Sequence, residues 1–271
     1  MGLYDIMDEI ASRQITKSET GDNRILGVLT GIVAKNYDQQ MPGRVCVQIP
    51  VRDNEANELK WARVAMPSSG TSWGHYFLPE VGDQVLLAFE QGNIEKPYVV
   101  GCVPKDSNRF LKQAAEEKNR NKKIITRNGN TIHFEDAPEG EGKQDKISIY
   151  TPDQAHQIIL DNEKNQILVG DKEGKNRVLI ETEKGAVSVK TENKLTVNVG
   201  DNIQLIMNGE TGTVSIKCSK LKVDASDGVD VKTSGKLSAS GGNVSVEASS
   251  MLKAASSGMA SLSGSPVKIG S

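Results

Sequence analysis

From Thr151 to Ser271 the chain contains no Phe, Trp or Tyr, and aromatic residues make up only 4% of the whole sequence. A stretch of that length without large rings cannot build an ordinary globular core, because aromatic side chains carry the largest buried areas. Hydrophobic residues reach only 37%, which is low for one packed globule. No run approaches eighteen consecutive apolar residues, and the start lacks a charged-then-apolar signal, so a soluble protein made in the cytoplasm is expected. Cys46, Cys102 and Cys218 are odd in number and far apart, which argues against a disulfide framework and a paired-cysteine metal site. With a net charge of −2 there is no bulk attraction to nucleic acid or anionic lipid.

Side chains fit for chemistry are equally scarce. His75, His133 and His156 fall in separate segments with no Cys or carboxylate at ligand spacing, so solvated or structural roles are expected. Gly70 to Gly74 sets Ser72 and Trp73 in a loop, which reads as loop flexibility rather than nucleophile positioning. No Gly-Lys-Ser/Thr follows a strand, so the glycine-rich turns are not phosphate loops. No catalytic residue, cofactor or metal ligand is assigned, and the chain is not expected to be an enzyme.

What the second half does contain is a period. Short strands with one apolar face restart at Val187, Leu195, Ile203, Val214, Leu221, Val229, Leu237, Val244, Leu252, Ala260 and Val267. The steps are seven or eight residues except for the one across Asn208 to Thr213. A fixed period marks a stack of like supersecondary units. The turns between them carry Gly, Asp, Asn or Ser, as at Gly200-Asp-Asn202, Asp227-Gly228 and Ser234-Gly235. One such unit cannot offset about 1–2 kcal/mol of backbone entropy per residue by covering its own narrow face. Several copies wound about a common axis would cover those faces and leave few free edges. A disordered Ser/Gly-rich tail is the alternative, but it gives hydrophobic residues no reason to stay in step.

The first half reads differently. Leu3, Ile6, Met7 and Ile10 lie at helical spacing, so a short amphipathic helix is expected over 2 to about 14, docked on its own barrel or on a neighbouring protein. Thr16 to Asn23 reads as a polar connector. Five strands follow, over Leu26–Val33, Gly43–Pro50, Trp61–Pro67, Gly82–Phe89 and Tyr98–Val103, which suits a small closed barrel of OB type. Pro104 to Asn121 is a charged linker with room for a helical turn in Phe110 to Lys118. Six strand-like segments then run from Ile124 to Ile180 with turns at Asn128-Gly-Asn130 and Asp161 to Asn165.

The segments Gly43-Arg-Val-Cys-Val-Gln-Ile-Pro50, Trp61-Ala-Arg-Val-Ala65, Pro79-Glu-Val-Gly-Asp-Gln-Val85, Phe89-Glu-Gln-Gly-Asn93 and Pro97-Tyr-Val-Val-Gly101 occur in an order and spacing that resemble a known family. They resemble the OB domain of phage central spikes, the baseplate assembly protein V family, which type VI secretion spikes of the valine-glycine-repeat family share. The resemblance implies an all-β chain: N-terminal helix and connector (1–24), OB barrel (25–104), linker (105–122), β-rich neck (123–185) and a trimeric intertwined β-helix needle (186–271). It implies a homotrimer that joins a baseplate hub to a tip cap and pierces a target envelope, touching the target membrane transiently. The particle would be a virion tail or an extracellular phage tail-like device.

Within that frame Val197, Val199, Leu205, Ile216, Cys218, Leu221, Val223, Val229 and Val231 are expected to form the trimer core. Cys218 is read as inward packing in preference to a three-thiolate metal site. Val267 and Ile269 would meet a tip protein of the PAAR type, since the chain ends without the His-x-His apex of some relatives. Leu3, Ile6, Met7 and Ile10 would meet the hub, a separate protein because so few residues precede the barrel. No lysozyme domain is inserted after the barrel. An OB protein for single-stranded nucleic acid, using Trp61, Trp73, Tyr76 and Phe77, lacks the charge it would need. A trimeric adhesin or receptor-binding fibre would need a globular head.

Overall fold

The computed structural model describes residues 15–17, 23–25, 27–49, 58–138 and 140–270. The helix expected around Leu3, Ile6, Met7 and Ile10 lies outside them. The described residues fall into two compact units, one running to Leu195 with Asn208–Gly212 added, the other formed by Thr196–Met207 and the chain from Thr213 on.

In the first unit the strands β1 (Ile15–Lys17) and β2 (Asn23–Ile25) form a small antiparallel pair where a polar connector was expected. The strands β3 (Leu29–Lys35), β4 (Arg44–Ile49), β5 (Glu58–Val64), β6 (Gln84–Phe89) and β7 (Pro97–Cys102) close into a barrel in the order β3-β4-β5-β7-β6. Alternation drives the closure. Val33, Val45, Val47, Ile49, Ala62, Val85, Leu87 and Val99 all point inward and form one buried cluster.

The barrel's first strand begins three residues later than its apolar run suggests. Gly27 has φ +93°, a left-handed conformation that breaks the strand before Leu29. Gly82, at φ +94°, shapes the turn into β6, with its N–H donating to the Val33 carbonyl at 2.8 Å. Where β3 crosses β6, a side chain at Gly31 would come within 2.8 Å of Leu87 Cδ1, so the two strands approach closely there.

After the barrel comes α1 (Arg109–Ala114), a short helix capped by Asn108 Oδ1, which accepts from Leu111 N–H at 3.1 Å. A seven-stranded antiparallel meander follows: β8 (Asn121–Ile125), β9 (Thr131–Glu135), β10 (Lys146–Tyr150), β11 (His156–Asp161), β12 (Gln166–Asp171), β13 (Arg177–Glu181) and β14 (Ala186–Lys190). The sheet continues across residue 186, where the needle was expected to begin, because Ala186–Lys190 pairs fully with Arg177–Glu181. Further on, β15 (Lys194–Val199), β16 (Ile203–Asn208) and β17 (Thr213–Lys217) form a three-stranded sheet.

Leu87 is fully buried at the centre of the barrel cluster. Leu87→Ala should therefore lower barrel stability by about 2–5 kcal/mol, read as an earlier denaturant midpoint with an unchanged slope.

Candidate functional site

The ladder registers of the meander place two apolar rows on one face. Ile124, Ile132, Ile149, Ile158, Val169, Val178 and Val189 are direct cross-strand neighbours from β8 to β14. Two residues along each strand runs the second row, Phe134, Ile147, Leu160, Ile167, Ile180 and Val187, which Lys122 completes on β8. Every member of the first row is exposed, from 37% at Ile132 to 52% at Val189. A groove of about 710 Å³ lies over this surface, lined by Ile124, Ile132, Ile149, Ile158 and Val169 and by Phe77 from a barrel loop. A sheet normally turns its apolar face to a core. Here the apolar face is the open one.

The opposite face holds the sheet's buried polar groups. Ser148 is 8% exposed and Asp161 7%. Asp161 pairs with Lys146 Nζ at 3.2 Å, directly across the β10–β11 ladder, and accepts from the Lys164 N–H at 3.0 Å. Burial works against ionising this carboxyl, but the Lys164 amide and the Lys146 ammonium outweigh it and hold its pKa below the ordinary value. His133, half-buried on this face, meets Asn121 Oδ1 at 2.8 Å, and burial lowers its pKa.

Of the expected core residues, Val197 and Val199 lie on β15, Leu205 on β16 and Ile216 on β17, in one sheet. Leu205 and Cys218 are half-buried. The others stand open, with Leu221, Val223, Val229 and Val231 each between 62% and 69% exposed. From Cys218 to Gly270 the described chain forms no strand or helix, yet its backbone bends recur at 219, 226–227, 234–235, 242–243, 249–250, 257–258 and 265–266. The bends fall at the same point of each sequence repeat, between one apolar pair and the next. Val267 is 43% and Ile269 86% exposed.

On the barrel, Gly70-Thr-Ser-Trp-Gly74 has the spacing of the hydrolase nucleophile elbow, a match that reading it as a plain loop passed over. That elbow is a strand–turn–helix element. Here the segment is a hairpin tip: Ser69 and Gly74 form a β-bridge and the Gly70 N–H donates to the Trp73 carbonyl at 2.8 Å. The nearby His75 Nδ1 lies 2.8 Å from Ser68 Oγ, not from Ser72.

Residues 29–103 match the sequence family described as the Type VI secretion system/phage-baseplate injector OB domain. These are the residues of the closed five-stranded barrel. The barrel is thus the part of the chain that resembles an injector OB domain. Type VI secretion system spike protein VgrG2a of Pseudomonas aeruginosa is 36% identical over 70 residues, 25% of this chain and 8% of that protein. Spike protein VgrG5 of the same organism is 32% identical over 104 residues, 36% of this chain and 13% of that protein. The chain thus matches only a small part of the length of those relatives. Among the described residues no helix is long and apolar enough to cross a membrane.

A carboxyl with a depressed folded-state pKa contributes stability that is present above its unfolded value and lost as pH falls through the folded one. Asp161 therefore stabilises the meander at neutral pH, and the contribution disappears as the pH falls below about 4. Asp161→Asn should cost about 1–2 kcal/mol at pH 7 and flatten the acid limb of the unfolding profile, measured by urea denaturation across pH.

Proposed function

We propose that the protein is the spike of a contractile injection particle, a homotrimer whose work is mechanical and not catalytic. Three OB barrels would sit on a baseplate hub, with Leu3, Ile6, Met7 and Ile10 reaching that hub. The meanders would turn their apolar faces toward one another about the three-fold axis. Beyond them the repeats of three chains would wind into a β-helix needle with Val197, Val199, Leu205, Ile216, Cys218, Leu221, Val223, Val229 and Val231 at its core. Val267 and Ile269 would receive a PAAR-type cap, and the needle would cross the target envelope when the sheath contracts.

One observation supports this reading: among the described residues the first apolar row of the meander is exposed along all seven strands, with a groove bordered by Phe77 over it. Exposed apolar patches of that extent mark interaction surfaces. Copies of the same chain offer the same face, and cyclic symmetry allows each to cover the next. The resemblance to an injector OB domain supports the setting. The recurring bends support the winding, since a chain that turns every seven or eight residues without pairing to itself leaves its backbone groups free for neighbouring copies.

Native mass in solution should correspond to three copies of the 29.3 kDa chain, about 88 kDa. Ile158→Asp sets three carboxylates near the axis, where burial of unpaired like charge is costly. That variant should lose the trimer at neutral pH while the barrel keeps its own unfolding transition. A monomeric wild type, or an unchanged mass for the variant, would contradict the reading.

A further inference from the structure

The outer face of the barrel carries a cluster of charged and aromatic side chains. Arg44 on β4 and Arg63 on β5 are direct partners across the antiparallel ladder, and Arg63 in turn pairs with Tyr98 of β7. Val45 and Ala62, their neighbours in sequence, point into the core, so both guanidinium groups belong to the outside. Like charges set directly opposite destabilise a sheet unless something offsets them. Among the described residues neither guanidinium group makes a hydrogen bond or salt bridge, although the charge of Arg63 acts on the nearby Glu90. The acids beside them are already engaged. Glu90 accepts from Lys96 Nζ at 2.9 Å and from the Tyr98 hydroxyl at 3.1 Å, and Glu95 pairs with Lys60.

Beside the arginine pair stands the 68–75 hairpin, whose shape is fixed by close contacts. The His75 N–H donates to the Ser68 carbonyl at 3.0 Å, and the Trp73 indole lies so near Gly70 that an added Cβ would sit 2.4 Å from it. This tight turn presents Trp73 at 68% and Tyr76 at 71% exposure. Two clefts share the arginines as a common wall: one of about 690 Å³ bordered by Trp73 and Tyr76, the other of about 200 Å³ bordered by Trp61 and Tyr98.

We propose that this face is a docking surface for an acidic segment of another polypeptide, whose carboxylates are held by Arg44 and Arg63 while an adjoining apolar side chain lies on Trp73 and Tyr76. The planar guanidinium fork matches a carboxylate in geometry and charge, and two forks side by side fit two acids spaced along a strand. Arg, Trp and Tyr are the residues that dominate binding energy at protein interfaces. Charge complementarity favours a peptide over a nucleic acid. A phosphate chain needs a continuous cationic track, whereas here Glu90 and Glu95 break up the cations of the smaller cleft and leave two adjacent guanidinium groups, which match two carboxylates and not a run of phosphates. The proposal rests on the barrel surface alone and stands apart from the assembly reading.

The test uses the full-length protein and the emission of Trp61 and Trp73, its two tryptophans. The probes are a short synthetic peptide of Glu and Leu, the same peptide with Gln for Glu, and oligothymidine. The acidic peptide should shift the emission, and added salt should weaken it. The double variant Arg44→Gln/Arg63→Gln should bind it at least about tenfold more weakly with native mass unchanged, as expected for lost charge-assisted pairs. Trp73→Ala, which leaves both arginines in place, should also weaken binding. Equal binding of the Gln peptide, tighter binding of oligothymidine, no binding at all, or wild-type affinity in the double variant would overturn the proposal. So would a changed native mass in the double variant, which would make this face a contact between copies of the chain.

Discussion

Apolar surface left uncovered among the described residues is the constraint on which the proposed assembly depends. In the meander, one row of Ile and Val runs across all seven strands and a second of Phe, Ile, Leu and Val across six, on one face, and a groove with Phe77 at its border lies over the first. Each square ångström of such surface left in water forgoes about 25 cal/mol, so a sheet of this kind is stable only where a second surface meets it. The polar groups that would ordinarily face solvent lie on the other side, where Thr131, Ser148 and Asp161 are buried. That inversion makes sense for a wall whose apolar side lines an axis shared between chains.

The barrel and the repeats solve the burial problem in opposite ways. The barrel closes on itself, so Val33, Val45, Ile49 and Leu87 are buried with no help from a neighbour, and its strand edges are all paired. The repeats give up self-sufficiency. Their inward positions are small and their turns short, so that a single copy of Leu221 to Val231 exposes every apolar side chain. In the proposed trimer other copies would supply the missing ladder, which would couple the order of the repeats to assembly.

Much of this was legible in the residues. Barrel strands were read from period-two alternation, and the segments from Ile124 to Ile180 fell within β8 to β13 to within a few residues, because their turns carry Asn-Gly and Asp-Asn signals. Boundaries moved where backbone conformation overrode pattern, as Gly27 did at the start of β3. The apolar rows could not be seen in the sequence, since alternation says which residues share a face but only ladder register says which stand side by side. The same limit hid the Arg44–Arg63 pair, which lies nineteen residues apart in the chain and opposite in the sheet. The β1–β2 pair went unread because its strands are three residues each and largely polar.

Hydrogen exchange over residues 219–270 tests the central claim most directly. Within one chain these residues form no strand, so their amides have no ladder of their own to shield them. If neighbouring copies supply that ladder, the amides of Leu221 to Val246 should exchange slowly, as slowly as those of the barrel strands, and lose protection together when the trimer is dissociated. Exchange at the rate of an unstructured peptide in the assembled protein would contradict the account.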